Sequence, residues 1–147
     1  MAQKMMYSAH SLEQIAIAGP QDIVKARGSV RALAAQLDLG VADQTRLATA
    51  VSELARNVIQ YAGSGTCTLS DCSDDDYIRI RVIVEDHGPG IPSIDMAMKD
   101  GFSTSNGLGA GLPGTRRLMD SFSIESVPGL TTISIMLVRE RLREKLK

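Results

Sequence analysis

The chain has 147 residues, 44% hydrophobic and 22% charged, enough to bury roughly two-thirds of its unfolded surface in a single domain spanning 1–147. Its formal net charge of −1 excludes the basic footprint of a nucleic-acid binder, and no apolar run approaches the ~20 residues of a membrane span. No continuous apolar stretch opens the chain, and Cys67 and Cys72 match no zinc spacing, so a cytoplasmic location with two structural thiols is expected.

Leu12 to Ala18 partly alternates and predicts a strand, punctuated by Gly19-Pro20. Asp22 to Leu37 carries Ile23, Ala26, Val30, Leu33, Ala34 and Leu37 at helical spacing. A second helix is expected from an N-cap at Asp43 to about Tyr61, with Gly63 beyond its end. Residues 66–71 and 77–85 read as strands joined by the acidic turn Asp74-Asp75-Asp76. A short helix over 94–99, a helix over 108–120 and strands over 122–127 and 131–138 follow. The charged, helix-prone tail 139–147 reads as a frayed, solvated end. The pattern predicts an α/β two-layer sandwich with a mixed, mostly antiparallel sheet.

Three stretches carry chemistry. On the second helix, Leu47, Val51, Leu54, Val58 and Tyr61 form the core stripe, with Glu53 and Asn57 one turn apart at its edge. An asparagine carboxamide offers magnesium a neutral oxygen, and a glutamate one turn earlier can deprotonate an attacking hydroxyl. The competing reading pairs Glu53 with Arg46 or Arg56 on a solvated face.

Asp86 closes an apolar strand, where its carboxylate can accept from the exocyclic amine of adenine. Gly88 and Gly90 then let backbone approach a planar ring, while His87 is assigned no ligand or catalytic role. The run Gly107, Leu108, Gly109, Ala110, Gly111 can present amides to a polyphosphate ahead of a helix N-terminus. Ser103 and Thr104 add hydroxyls in a lid-like stretch over about 93–107. No Gly-x-x-x-x-Gly-Lys-Ser/Thr occurs, nor do His-Arg-Asp or Asp-Phe-Gly.

In this order the motifs resemble the N, G1 and G2 boxes of the GHKL ATPase superfamily, which includes gyrase, Hsp90, histidine kinases and MutL. Ser-Glu-Leu-Ala-Arg-Asn (52–57), Glu-Asp-His-Gly-Pro-Gly-Ile-Pro (85–92) and the run 100–114 are similar to the RsbT-type switch serine/threonine kinases of the bacterial stressosome. The likeness spans about 12–138; residues 1–11 extend beyond it, with disorder allowed for. It implies a Bergerat fold holding ATP and Mg2+. Asn57 is then the magnesium ligand, Glu53 the base and Asp86 the adenine reader. Gly88 and Gly90 shape the adenine pocket, and Ser103, Thr104 and the run from Gly107 to Gly111 bind the nucleotide.

Many relatives carry a late Gly-x-Gly-Thr turn. Here Pro128-Gly129-Leu130-Thr131-Thr132 lacks the second glycine, and Thr131 is taken as the matching threonine. The implied substrate is a STAS-domain antagonist protein, released on phosphorylation so that the kinase can engage a second regulator such as a PP2C-type phosphatase. The alternatives are an anti-sigma-factor kinase of the same superfamily and a nucleotide-dependent binding module without transfer activity.

Overall fold

Strands with inward apolar residues at every second position meet two helices with apolar stripes, and the result is one sheet covered on one face. The computed structural model describes residues 11–91, 93–99 and 111–142. Along the chain lie β1 (Ser11–Ile17), α1 (Pro20–Gln36), α2 (Val41–Tyr61), β2 (Gly65–Asp71), β3 (Tyr77–Asp86), α3 (Ile94–Ala97), α4 (Gly111–Leu118), β4 (Ser121–Val127) and β5 (Leu130–Glu140). The sheet order is β1-β2-β3-β5-β4, and all four pairings are antiparallel. The two-layer α/β sandwich expected from the sequence is present.

The core lies between the sheet and the helices. Ile15 and Ile17, Cys67 and Leu69, Ile80, Val82 and Val84, and Ile133, Ile135 and Leu137 point inward from β1, β2, β3 and β5. Against them pack Ala26, Val30 and Ala34 of α1 and Leu47, Val51, Leu54 and Val58 of α2. Burying side chains of this size stabilises the fold by about 1.5–3 kcal/mol for each large aliphatic residue. Cys67 and Cys72 are free and buried, and burial pushes the Cys67 thiol up to about 12, so it is inert. No described helix is long and apolar enough to cross a membrane.

Local signals place most element ends. Pro20 opens α1, and the Asp22 carboxylate accepts from the Ala18 and Gly19 amides at 2.8 and 3.2 Å. The acidic turn between β2 and β3 is held by its own groups: Asp74 accepts from the Asp76 and Tyr77 amides and from Arg79. These bonds draw its carboxyl down to about 2.

Three expectations are corrected. Gly40, not Asp43, caps α2. Asp43 lies inside the first turn, where Arg139 and Arg46 engage its carboxylate instead of helix amides. Tyr61, placed on the core stripe, is 43% exposed because α2 ends there and the sheet no longer covers it. Finally, the tail does not fray from residue 139: β5 continues to Glu140, paired with Tyr77, and Arg141 donates to the Asp76 carbonyl. Ladder bonds and ion pairs outweigh local helix propensity in that segment.

Candidate functional site

The site end of the sheet is recognisable from one row of residues. Two residues apart on a strand share a face, so polar and apolar rows can be compared directly. Cys67, Val84, Ile133 and Ile124 stand side by side on β2, β3, β5 and β4 and form an apolar inward row. The next row towards the strand ends is Gly65, Asp86, Thr131 and Ser126. Within one step the inward face changes from hydrocarbon to a bare backbone, a carboxylate and two hydroxyls.

The C-terminal turns of α2 close over this row. A side chain at Gly65 would run into the Glu85 carbonyl and lie 2.9 Å from Val58 Cγ1 and 3.1 Å from Asp86 Cβ. A Cβ at Gly88 would sit 2.6 Å from Ala62 Cβ, so only glycine permits that approach of the loop after β3 to the helix. The same loop is fastened to the β4–β5 turn. Gly129 N–H donates to the Gly88 carbonyl at 2.9 Å, and His87 Nδ1 donates to the Gly129 carbonyl at 3.1 Å. Gly90 has φ +89, and a Cβ there would lie 2.8 Å from the Val127 carbonyl, so both conformation and space require glycine.

Asp86 is half-buried, and its Oδ1 accepts from the Gly88 amide at 3.0 Å. This bond fixes the carboxylate plane and leaves the other oxygen available to a donor. Thr131, directly opposite Asp86 on β5, is only 5% exposed, and its Oγ1 lies 2.6 Å from Ser126 Oγ. Ser126 Oγ in turn accepts from the Ile91 amide at 2.7 Å. Asp86, Gly88, Gly90 and Thr131 are therefore brought together as one cluster.

Glu53 and Asn57 both lie half-buried on α2, one turn apart. The ion pair considered as the competing reading of Glu53 is present, with Arg56 as its partner, while Arg46 binds Asp43. The face is nevertheless not a solvated one, since the Glu53 side chain is 12% exposed. No hydrogen-bond partner of the Asn57 carboxamide occurs among the described residues. Gly111 opens α4 at φ +64, and its carbonyl accepts from Thr115 Oγ1. Ser103, Thr104, Gly107, Leu108, Gly109 and Ala110 lie outside the described residues.

Sequence reasoning missed Gly65, Ala62 and Ser126. The signal for Ser126 was available: Phe122, Ile124 and Ser126 alternate on one face of β4, and the third breaks the apolar pattern. Gly65 carried no such signal, because its tight contacts come from β3 and α2.

Residues 42–141 match the family described as histidine kinase-, DNA gyrase B-, and HSP90-like ATPase. The chain is 54% identical over 108 residues to serine/threonine-protein kinase RsbT of Bacillus subtilis, covering 74% of this chain and 81% of that one. It is 36% identical over 114 residues to the anti-sigma F factor of Caldanaerobacter subterraneus, covering 74% and 78% respectively. Among solved structures, the RsbU and RsbW domains of a Mycobacterium tuberculosis protein share the fold at TM-score 0.65 and 16% identity, over 93% of this chain and 35% of that one. The chain belongs to the histidine kinase-, DNA gyrase B- and HSP90-like ATPase family and is a homologue of serine/threonine-protein kinase RsbT.

Proposed function

We propose that the protein is an ATP-dependent serine/threonine kinase that phosphorylates a STAS-domain antagonist and exchanges partners as a result. The observation that carries the reading is the Asp86 cluster. A carboxylate with one oxygen held by Gly88 N–H sits between a glycine on one side and a buried threonine on the other. It is an acceptor shaped for the amine of a purine, at the end of the helix that bears Glu53 and Asn57. The 54% identity to a serine/threonine-protein kinase supports transfer to a hydroxyl, beyond nucleotide binding alone.

In this reading Asp86 holds the adenine amine while Gly88 and Gly90 admit the ring. Glu53 takes the proton of the substrate hydroxyl as its oxygen forms a bond to the γ-phosphorus. The bond from that phosphorus to the β-phosphate oxygen breaks, leaving ADP and a phosphoserine or phosphothreonine. Arg56, bonded to Glu53, keeps the carboxylate from swinging freely before substrate arrives.

Magnesium fits the residues present. No group of three or more His, Cys, Asp or Glu able to hold a metal exists among the described residues. Magnesium needs few protein ligands when phosphates and water supply the rest, and Asn57 offers a neutral oxygen with no competing partner among the described residues. Held by Asn57, the ion would neutralise charge developing on the phosphates. Gly111, with Ser103, Thr104 and the residues from Gly107 to Ala110, completes the nucleotide site in this proposal, and Thr131 belongs with Asp86.

Purified protein, magnesium, labelled ATP and a single-domain STAS protein encoded beside it make the test. Label on a serine or threonine of that protein supports the kinase reading. Tight complex formation with no label, with ATP bound, would favour the binding module. The anti-sigma F relatives favour a second reading, in which the exchanged partner is a sigma factor instead of a PP2C-type phosphatase or similar regulator. Capture of a sigma factor by the ATP-loaded protein would decide for it.

A further inference from the structure

The row that ends the inward face of the sheet has a fourth member with no role in the reading above. Ser126 occupies a position where β4 otherwise turns Phe122 and Ile124 towards the core. Its hydroxyl bridges two parts of the site: it accepts from Ile91 N–H at 2.7 Å and lies 2.6 Å from the Thr131 hydroxyl. The Gly129 amide binds Gly88, the Gly129 carbonyl takes His87, and the Val127 carbonyl abuts Gly90, all in the loop that carries Ile91, so β4 and its turn form one wall of the cluster.

The position of the shared hydrogen decides what the bridge does. Two hydroxyls carry two hydrogens, and one of them lies between the oxygens. If Thr131 donates, the spare hydrogen stays on Ser126, and Thr131 and Asp86 both present acceptors. If Ser126 donates, the spare hydrogen stays on Thr131, directly across the strands from Asp86. The Watson–Crick edge of adenine pairs an amine donor with the acceptor nitrogen N1. An acceptor at Asp86 beside a donor at Thr131 complements that edge, and two acceptors do not. Guanine reverses both positions, with a carbonyl and an N1–H.

We propose that Ser126 is a positioning residue for purine reading: it donates to the buried Thr131 hydroxyl and thereby makes Thr131 a hydrogen-bond donor to N1 of the bound adenine. This rests on the nucleotide reading of the Asp86 cluster. The Ile91 bond contributes by occupying a lone pair of Ser126 and holding its rotor in place, so the loop after β3 and the base-reading hydroxyl are set by the same side chain.

The test compares binding of ATP with that of 1-deaza-ATP, in which N1 is a C–H, to the full chain by titration calorimetry. The wild-type protein is expected to prefer ATP by about three- to tenfold, the range of one net hydrogen bond. Ser126→Ala, which leaves the Thr131 hydrogen without the bond that orients it, should weaken ATP more than 1-deaza-ATP so that the preference shrinks, and Ser126→Thr should restore it. Equal weakening of both nucleotides would make Ser126 merely structural and overturn the proposal, as would an unchanged preference in Ser126→Ala. Absence of any preference in the wild type would overturn it without recourse to a variant. Wild-type protein that binds no ATP at all would overturn the nucleotide reading as well, so the two failures are distinct.

Discussion

Two polar clusters stand at opposite ends of α2 and β5, and they differ in how far the chain satisfies them. At the far end the Arg139 guanidinium donates to both oxygens of Asp43 at 2.9 Å and to Asp120 at 2.9 Å. Asp43 also takes Arg46, and Asp120 also takes the Val138 amide. Burial pushes the Asp43 carboxyl up, but the two arginines outweigh it and hold it below its ordinary value. At the near end Asp86 has one described bond, Thr131 has one, and Asn57 has no partner among the described residues. Groups saturated within the chain tie α2, β5 and the end of α4 together. Groups with spare capacity are the ones the proposed nucleotide reading uses. The lesson is that the type of polar residue says less than its unspent hydrogen-bonding capacity.

The largest effect that would sharpen this contrast is on catalysis. Glu53→Gln should lower phosphate transfer by about 10²- to 10⁴-fold while ATP binding persists, read by labelled transfer alongside calorimetry. Intact transfer would break the assignment of Glu53 as base. Next, Asp86→Asn should weaken ATP binding about 10- to 100-fold, as loss of a charged hydrogen bond requires, with little change in melting temperature. A large melting loss with binding unchanged would move Asp86 to the structural side.

At the saturated end the readout is stability. Asp43→Asn should lower the melting temperature at neutral pH and leave ATP affinity unaltered. The folded carboxyl lies below 3.8, so as pH falls the unfolded chain binds the proton first. The contribution is therefore complete well above that value and lost as pH falls through the folded one. Asp43→Asn should flatten acid unfolding in that window, and an unchanged acid profile would remove the clamp from the account. Smallest is Gly28→Ala on the exposed side of α1, where a Cβ meets nothing within 4 Å. It should stabilise the protein by about 1 kcal/mol with no effect on either cluster, measured by denaturant unfolding.

Element positions were legible from local pattern because they depend on periodicity and turn chemistry. Alternation in β3 and β5 and the stripe Leu47-Val51-Leu54-Val58 predicted the buried faces. Motif order placed Glu53, Asn57, Asp86, Gly88 and Gly90 on their elements and pointed to the ATPase family, since each motif lies within a few residues. The end of β5 was misjudged because Arg139 answers to Asp43, 96 residues away in sequence.

What the tertiary structure alone decided is lateral: which residues share a row. Gly65, Asp86, Thr131 and Ser126 come from four strands, and their alignment follows from register, which pairing across the whole sheet sets. The choice between a solvated Glu53 and a nearly buried one was also settled there, since its side chain is only 12% exposed. A sequence specifies the face a residue turns to its neighbours through periods of two or 3.6 residues. Only closure of the sheet and helices specifies who those neighbours are.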